Sequence, residues 1–215
     1  MDTSVVVTEI FHSIQGESSF MGYPCVFVRL TGCPLRCRWC DTDYAFSGGT
    51  RLAVDEVLAR VAAYNCHVIE VTGGEPLAQG ASLELMKRLA DAGYTVLLET
   101  SGAYPIEDVD PRVHRIVDLK CPDSGEQARN RLENLKHLGP RDELKFVVAN
   151  RSDYDWARAA LDEHRLAGRV RVLFSPVHGE LDPKELAAWM LADRVEARFQ
   201  LQMHKYIWSP ETRGV

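Results

Sequence analysis

The sequence lacks the features that are typical of membrane-spanning, disordered or nucleic-acid-binding proteins. No apolar run approaches the roughly 20 residues that span a bilayer. The first residues carry no basic segment followed by a long apolar stretch, so no secretion signal is expected. Lysine and arginine number 25 against 31 aspartates and glutamates, whereas nucleic-acid-binding surfaces normally carry a basic excess. We therefore expect a cytoplasmic protein with no membrane and no nucleic acid among its partners.

The chain also lacks repeats, low-complexity tracts and enough cysteine for a disulfide scaffold. Its 215 residues predict one domain, 1–215, because folding at this size buries roughly 70–75% of the chain's surface without cross-links. Three of the six cysteines, Cys33, Cys37 and Cys40, lie within eight positions. In a reducing compartment such clustering indicates a metal site or catalysis.

Short apolar runs alternate with longer amphipathic segments, a pattern typical of parallel strands joined by helices. The predicted strands are 26–30, 68–71, 95–98, 115–119, 144–148, 170–174 and 199–201. The predicted helices are 54–64, 82–92, 127–138, 154–164 and 183–195. We predict an α/β fold, an incomplete TIM-like barrel of about six or seven mostly parallel strands with helices outside. A doubly wound sheet is the alternative, and both folds bind ligands at the carboxyl ends of their strands.

The cysteines form a C-x3-C-x2-C loop directly after the first predicted strand. Three thiolates on a four-iron cluster leave one iron without a protein ligand, whereas electron-transfer clusters usually take four cysteines. An open iron can bind a substrate or a cofactor. A structural zinc site closed by Cys25 or His12 is one alternative, although such sites usually pair their four ligands in two groups. Three unrelated core cysteines are the other.

Together with Trp39 and the segment Gly73-Gly74-Glu75-Pro76, the cysteine loop resembles the radical S-adenosylmethionine (radical SAM) superfamily. The resemblance implies that the amino group and carboxylate of S-adenosylmethionine chelate the open iron. It also implies that one electron from the cluster cleaves this cofactor to a 5′-deoxyadenosyl radical.

Further segments resemble one family within that superfamily, the 7-carboxy-7-deazaguanine synthases. They are residues 10–17, 40–42, 71–76, 99–102 and 202–205. The resemblance implies a carbon–nitrogen lyase that converts 6-carboxy-5,6,7,8-tetrahydropterin to 7-carboxy-7-deazaguanine with loss of ammonia, on the way to queuosine. It also implies a [4Fe–4S] cluster, S-adenosylmethionine and Mg²⁺, an electron donor such as flavodoxin, and a homodimer.

The resemblance implies a role for each matching residue, and none of them is assigned as a protein acid or base. Arg29 would hold the substrate carboxylate bidentately, and Glu17 would accept hydrogen bonds from the amino-pyrimidine N–H groups. The implied substrate-binding residues are Ile14, Gln15, Gly16, Glu17, Arg29, Thr72, Glu99 and His204. Each has a structural alternative, such as a strand-end ion pair for Arg29 or a plain turn at 14–17.

The implied metal ligands are Cys33, Cys37 and Cys40 for the cluster and Thr42 for Mg²⁺. A threonine there could equally cap the following turn. The implied S-adenosylmethionine-binding residues are Trp39, Cys40, Asp41, Gly74, Asp118, Leu119, Lys120, Ser175, Pro176, Val177 and His178. Other members read Ser-Pro-Lys at 118–120 and Gln-Pro-x-Asp at 175–178, so which side chains act there stays open.

The chain departs from the family again at its end. Some members end in a proline whose carboxylate reaches the pterin, whereas this chain continues to Val215, and no such contact is carried over. Two other functions compete. One is a glycyl-radical-enzyme activase, another short radical SAM protein, and the other is a non-catalytic iron–sulfur module.

Overall fold

Nine strands form one sheet in this computed structural model, which describes residues 3–215. In chain order they are β1 (Ser4–Ile14), β2 (Pro24–Leu30), β3 (Thr50–Ala53), β4 (Val68–Gly73), β5 (Thr95–Thr100), β6 (His114–Asp118), β7 (Glu143–Val148), β8 (Arg171–Pro176) and β9 (Arg198–Phe199). The order across the sheet is β3-β1-β2-β4-β5-β6-β7-β8-β9, and the sheet is not closed. Residues 1 and 2, part of the predicted domain 1–215 and of the start examined for a secretion signal, lie outside the described residues.

Seven strands, β2 and β4 through β9, run parallel, which confirms the predicted α/β fold with an incomplete barrel. The other two, β1 and β3, are antiparallel additions at one edge. The sequence prediction omitted both. β1 is mostly half-buried and mixes polar with apolar residues, as an edge strand can, and β3 has only four residues.

Five helices follow the strands: α1 (Val54–Ala62), α2 (Ala81–Asp91), α3 (Arg151–Glu163), α4 (Pro183–Asp193) and α5 (His204–Ile207). Side-chain capping explains the starts of two of them, α3 and α4. The Asp182 side chain accepts a hydrogen bond from the Lys184 N–H at 2.8 Å, and the helix begins at Pro183, the first residue of the predicted helix 183–195. Asn150 caps α3 in the same way, so that helix starts three residues before its predicted position. Every helix in residues 3–215 is too short or too polar to traverse a bilayer.

The predicted helix over 127–138 is wrong. The segment forms two short 3-10 turns, Gln127–Arg129 and Leu132–Lys136, separated by residues with extended backbone. The Asn130 side chain accepts from the Lys120 N–H at 2.8 Å and donates to the Lys120 carbonyl at 2.9 Å. These tertiary hydrogen bonds hold Asn130 in an extended conformation, which interrupts the helix that the local pattern predicts.

The two faces of the parallel strands differ sharply because successive side chains point to opposite sides. The outer face packs against the helices and forms the apolar core, with Ile69 and Val71 of β4 and Phe146 of β7 as typical members. The inner face carries polar residues, such as Glu70 on β4 and Lys145 on β7, both almost fully buried. The outer face is therefore uniformly apolar, whereas the inner face mixes polar residues with apolar ones such as Phe27 and Val147.

The turn between β1 and β2 lies at the amino-terminal ends of the parallel strands. Gln15 and Tyr23 are joined across this turn by a hydrogen bond of 2.8 Å from the Gln15 N–H. At its far side the Ser19 N–H donates to the Glu143 carboxylate at 3.1 Å, at the start of β7. The turn thus bridges from β2 to β7 and places residues 15–17 inside the barrel.

Candidate active site

A cavity of about 680 Å³ lies at the carboxyl ends of the parallel strands. Most of the residues that the sequence analysis assigned to ligands line it. They are Ile14, Gln15, Gly16, Glu17, Arg29, Cys33, Cys37, Trp39, Cys40, Asp41, Thr42, Thr72, Gly74, Glu99, Asp118, Lys120, Val177, His178 and His204. Leu119, Ser175 and Pro176 do not line the cavity: Leu119 belongs to the apolar core, and the other two are buried in β8.

The three clustered cysteines lie on the loop after β2 and line one side of this cavity, here called the rim (residues 32–40). All three are free thiols. Burial raises the pKa of each thiol, and the cation of Lys120 acts in the opposite direction on each of the three pKa values. Three soft sulfur donors next to a lysine, facing one cavity, fit a [4Fe–4S] cluster with one iron left open.

The two residues named as a fourth ligand of a structural zinc site, Cys25 and His12, do not line the cavity with the three cysteines. Cys25 is fully buried at the start of β2, with its thiol directed to the Val26 carbonyl at 3.6 Å, and His12 is exposed on β1.

Two glycines at the end of β4, Gly73 and Gly74, explain how the rim is held. A Cβ at Gly74 would lie 2.0 Å from the Gly32 carbonyl oxygen, and one at Gly73 would lie 2.7 Å from that of Leu30. Only glycine permits this approach of backbone to backbone. The Glu75 N–H then donates to the Gly32 carbonyl at 2.7 Å. The double glycine therefore docks the end of β4 onto the cysteine loop.

The Glu75 side chain is fully buried and joins two strand ends. Its carboxylate accepts from the Thr100 hydroxyl at 2.8 Å, from the Ser101 N–H at 2.8 Å and from the Leu77 N–H at 2.9 Å. The Glu75 carboxylate thus couples the turn after β4 to the end of β5, which agrees with a shaping role rather than a ligand contact.

Arg29 forms one wall of the cavity and also makes the ion pair that its structural alternative requires. Its Nε donates to Glu9 Oε1 at 2.7 Å, and its guanidinium carbon lies 5.8 Å from the Phe11 ring centre and 5.9 Å from that of Tyr44. The Tyr44 hydroxyl donates to the same Glu9 oxygen at 2.8 Å. Burial opposes the charge of Arg29, but Tyr44 and Glu9 raise its pKa above the usual value.

The floor of the cavity, defined by Glu17, Glu70, Glu99, Asp118 and Lys145, is a buried cluster of charges. Lys145 Nζ lies 3.0 Å from Glu17 Oε2 and 3.6 Å from Asp118 Oδ1, and it also contacts the Glu99 carboxylate. Burial would lower the pKa of Lys145, but the three carboxylates raise it well above its usual value. The lysine is therefore held as a cation.

Burial and neighbouring cations shift the pKa values of Glu17 and Asp118 in opposite directions. Burial would raise the pKa of Glu17, yet the cation of Lys145 and the hydrogen bond from the Gln202 amide hold it below its usual value. Burial would likewise raise the pKa of Asp118, which Lys120, at 2.7 Å, and Lys145 instead lower. Both carboxylates are therefore held ionised by neighbouring cations.

The protonation state of Glu70 differs from that of Glu17 and Asp118. It lies in the middle of β4, and the side-chain amide of Gln15 donates to its carboxylate. Burial, followed by the nearby charge of Glu99, raises the pKa of Glu70 well above its usual value. Burial also raises the pKa of Glu99, and Glu17 adds to that effect. The neutral acid is thus favoured at Glu70.

The segment before and within α5 packs onto the turn at 15–17. A Cβ at Gly16 would lie 2.2 Å from His204 Nδ1, and the Met203 N–H donates to the Gly16 carbonyl at 2.9 Å. His204 opens α5, five residues after β9 ends. Burial lowers the pKa of His204 although Glu17 opposes it, and the neutral imidazole is favoured.

Thr42 and Asp41 place hard oxygen atoms on the cavity wall. The Thr42 hydroxyl donates to Asp41 Oδ1 at 2.9 Å, and it makes no capping hydrogen bond to the following turn, Asp43–Ala45. The capping alternative for Thr42 is therefore wrong. Lys205 Nζ lies 2.7 Å from Asp41 Oδ2, and although burial would raise the pKa of Asp41, Lys205 holds it well below its usual value.

The sequence analysis missed several residues that line the cavity. Lys145 and Glu70 interrupt apolar strands, and an ionisable residue inside such a run is the signal that could have found them, because buried charges are rare unless paired. Residues 210–215 also line the cavity, with the Arg213 guanidinium carbon 4.1 Å from the Tyr44 ring centre. Local sequence carries no signal for that contact.

The chain is similar to known proteins along nearly its whole length. The sequence profile of the radical SAM superfamily matches residues 27–119. A 7-carboxy-7-deazaguanine synthase of Chlorobaculum tepidum is 50% identical over 212 residues, 97% of this chain and 96% of that protein. The enzyme of the same name from Koribacter versatilis is 48% identical over 224 residues, 97% of this chain and 99% of its own.

Solved structures share the fold. QueE from Escherichia coli superposes with a TM-score of 0.73 at 22% identity, covering 94% of this chain and 95% of its own. SuiB from Streptococcus suis, bound to S-adenosylmethionine, has a TM-score of 0.55 at 12% identity and covers 80% of this chain and 45% of its own. Given relatives of such identity over almost its full length, the chain belongs to the 7-carboxy-7-deazaguanine synthase family of the radical SAM superfamily.

Proposed function

We propose that this protein is a 7-carboxy-7-deazaguanine synthase, which converts 6-carboxy-5,6,7,8-tetrahydropterin to 7-carboxy-7-deazaguanine with release of ammonia. One observation carries the proposal. A rim of three free cysteines and a floor that holds an ionised glutamate, Glu17, line the same cavity, with Arg29 on the wall. That arrangement offers a site for a radical-generating cluster beside a site for a small, charged, hydrogen-bonding substrate.

Cys33, Cys37 and Cys40 would hold the [4Fe–4S] cluster. Together, the cluster and S-adenosylmethionine supply one-electron radical chemistry when bound. Lys120 opposes the burial that disfavours the charged thiolates, and it lines the same cavity. The protein's own task at the rim is to hold sulfur ligands in a loop that Gly74 docks against β4.

The proposed S-adenosylmethionine-binding residues that line the cavity belong to the cysteine loop and to the segments at the strand ends. They are Trp39, Cys40, Asp41, Gly74, Asp118, Lys120, Val177 and His178. Leu119, Ser175 and Pro176 would act only through the backbone or by packing, since their side chains face away from the cavity or are buried. Asp118 and Lys120, paired at 2.7 Å, offer both an acceptor and a donor to a ribose or an amino acid group.

Arg29 and Glu17 would orient the substrate by charge. Arg29 has five N–H donors and uses Nε and Nη1 toward Glu9 and Gly73 among the described residues, which leaves donors for a substrate carboxylate. Glu17, on the floor, would accept from the amino-pyrimidine N–H groups. Thr72, Glu99 and the neutral His204 complete the polar lining around the substrate.

Mg²⁺ would be bound by Thr42, with Asp41 beside it. Hydroxyl and carboxylate oxygens suit this hard cation, which usually takes few protein ligands and completes its shell with water and substrate. Its task would be Lewis-acid assistance to the substrate carboxylate and the departing ammonia. The ion pair between Asp41 and Lys205 supplies a carboxylate that is already ionised.

The proposal also covers the reaction class, the electron donor, the cellular compartment and the oligomeric state. Loss of ammonia makes the enzyme a carbon–nitrogen lyase whose product leads to queuosine. The electron comes from a donor such as flavodoxin, which can approach the exposed Cys40. Free thiols at all six cysteines suit the cytoplasm. Adjacent, half-exposed Tyr206 and Ile207 offer apolar surface for a homodimer.

Anaerobic reconstitution tests the function. The protein with iron, sulfide and a reductant should convert the carboxy-tetrahydropterin in the presence of S-adenosylmethionine, giving the deazaguanine chromophore and ammonia. Formation of 5′-deoxyadenosine without any deazaguanine would indicate a glycyl-radical-enzyme activase. Assembly of a cluster without binding of S-adenosylmethionine would indicate a non-catalytic iron–sulfur module.

A further inference from the structure

Two donors hold the carboxylate of Glu17, and a third hydrogen bond holds its backbone. Its Oε1 accepts from the side-chain amide of Gln202 at 2.9 Å, and its Oε2 accepts from Lys145 Nζ at 3.0 Å. The Glu17 N–H donates to the side-chain oxygen of Gln15 at 2.8 Å, and the amide of Gln15 is itself anchored on Glu70. Position and rotation of the carboxylate are therefore both constrained.

This arrangement leaves the Glu17 carboxylate with two acceptor positions, one on each oxygen. An ionised carboxylate has about four acceptor positions, two on each oxygen. Among the described residues, one donor reaches each oxygen of Glu17, so each oxygen retains one acceptor position. Two parallel N–H donors on a planar ligand fit such a pair in bidentate fashion, as guanidinium groups do. The amino-pyrimidine edge of a pterin presents two such donors, the exocyclic amino group and the neighbouring ring N–H.

The ionised state is as important as the orientation. A protonated carboxylic acid turns one oxygen into a donor and can no longer accept two N–H groups side by side. Glu17 shares the floor with Glu99 and Asp118, and Lys145 is the cation that contacts all three. Removing that cation would leave buried carboxylates facing one another, and one of them would take up a proton.

We propose that Lys145 and Gln202 are positioning residues that hold both oxygens of Glu17 ready for the amino-pyrimidine edge, and so set the specificity for a 2-amino ring. The inference rests on the proposed function, because the substrate supplies the two donors. It predicts discrimination against a 2-oxo analogue of the substrate, whose carbonyl would face the carboxylate and repel it.

Gln202→Leu gives the cleanest test because a matched control exists. Gln79 also uses its side-chain amide to hold the fold, accepting from the Val6 N–H at 2.7 Å and donating to the Val6 and Thr31 carbonyls at 3.0 and 2.9 Å, and it does not line the cavity. Gln79→Leu should lower the melting temperature and leave ligand binding unchanged. Lys145→Met is the second test variant.

The measurement is equilibrium binding of the carboxy-tetrahydropterin and of its 2-oxo analogue to the reconstituted proteins. Gln202→Leu should weaken binding of the pterin about 10-fold or more and reduce the preference over the analogue by a similar factor, with a larger loss in Lys145→Met. A purely structural role would lower the melting temperature, as in Gln79→Leu, without changing the preference.

Wild-type affinity and preference in Gln202→Leu would overturn the inference, and this variant decides if Lys145→Met does not fold. Failure of the wild-type protein to bind the pterin is a different outcome. It would remove the proposed function, and the inference with it, before any variant is compared.

Discussion

At the rim of the cavity, three cysteines come from eight consecutive positions, whereas at the floor Lys145 contacts carboxylates 128 and 46 residues away in the chain. The rim is half-buried or exposed and is held by backbone contacts with Gly74. The floor is buried at Glu70, Asp118 and Lys145 and half-buried at Glu17 and Glu99, and it is held by side-chain charges from strands and the turn at 15–17.

The rim offers ligands for the proposed cluster, whereas the floor offers polar groups for recognition of the proposed substrate. A change at the rim removes ligands for a cluster while leaving the apolar core on the other face of the sheet intact. A change at the floor alters charges that are buried together, so binding and stability should respond in concert. Variants in the two regions therefore test whether cluster assembly and substrate binding can be altered separately.

Cys37→Ala should have the largest effect. Loss of one of three sulfur ligands should abolish cluster assembly and activity, while the half-buried loop position permits the apo-protein to fold. Iron content, visible absorption and circular dichroism measure the three outcomes. Cys66→Ala, a half-buried thiol outside the cavity, is the control and should retain iron. Wild-type activity in Cys37→Ala would refute the assigned ligand.

Arg29→Ala should weaken binding of the substrate far more than binding of S-adenosylmethionine. The lost charge-assisted hydrogen bonds are worth about 1.5–3 kcal/mol, which corresponds to roughly 10- to 150-fold in affinity. Equilibrium dissociation constants for both ligands measure the difference. Equal losses would show that Arg29 acts through its ion pair with Glu9 and supports the wall of the cavity only.

Gly16→Ala should disturb the floor through packing. The new methyl group would lie 2.2 Å from His204 Nδ1 and 3.0 Å from the His204 backbone nitrogen, so α5 must move. Overpacking of this kind costs about 1–3 kcal/mol, and affinity for the substrate should fall with it. Binding and melting temperature are the measurements. Gly80→Ala, where a Cβ meets no atom within 4 Å, should leave affinity unchanged.

Glu70→Gln should change how stability depends on pH. Because burial raises the pKa of Glu70, the folded protein binds this proton more tightly than the unfolded chain does. Wild-type stability should therefore fall as pH rises above about 4.3, by about 1.4 kcal/mol for each unit by which the pKa is raised. Glutamine has no such proton and keeps an acceptor for Gln15.

The comparison for Glu70→Gln is the free energy of unfolding in urea at pH 5 and pH 8. Between pH 5 and pH 8, the free energy of unfolding should fall less in the variant than in the wild-type protein. Identical pH dependence in both proteins would mean that the Glu70 carboxyl is ionised in the fold.

Arg213→Ala should have the smallest effect. Its cation lies 4.1 Å from the Tyr44 ring, an interaction worth about 0.5–1 kcal/mol at an exposed site. Substrate affinity should fall a few-fold with little change in melting temperature. Arg60→Ala, which removes an exposed helical ion pair with Glu56, is the control and should not affect binding. Unchanged affinity in Arg213→Ala would show that residues 210–215 only cover the cavity.

Prediction from sequence succeeded where the signal is local. The alternation of strands and helices, the proline start of α4 and the cysteine spacing each depend on neighbouring residues, and the fold class follows from them. It failed where distant contacts override local preference. Asn130 interrupts a predicted helix by bonding to the Lys120 backbone, and β1 and β3 carry weak local patterns because they lie at an edge.

The three sulfur ligands at the rim could be read from the chain alone, because the C-x3-C-x2-C spacing brings Cys33, Cys37 and Cys40 into one short loop. The floor depends on contacts between residues that are far apart in the chain. Glu17 and Lys145 meet because the parallel sheet curves and the turn between β1 and β2 reaches β7. Burial then makes their charges depend on one another, and no local pattern records which distant strand will supply the partner.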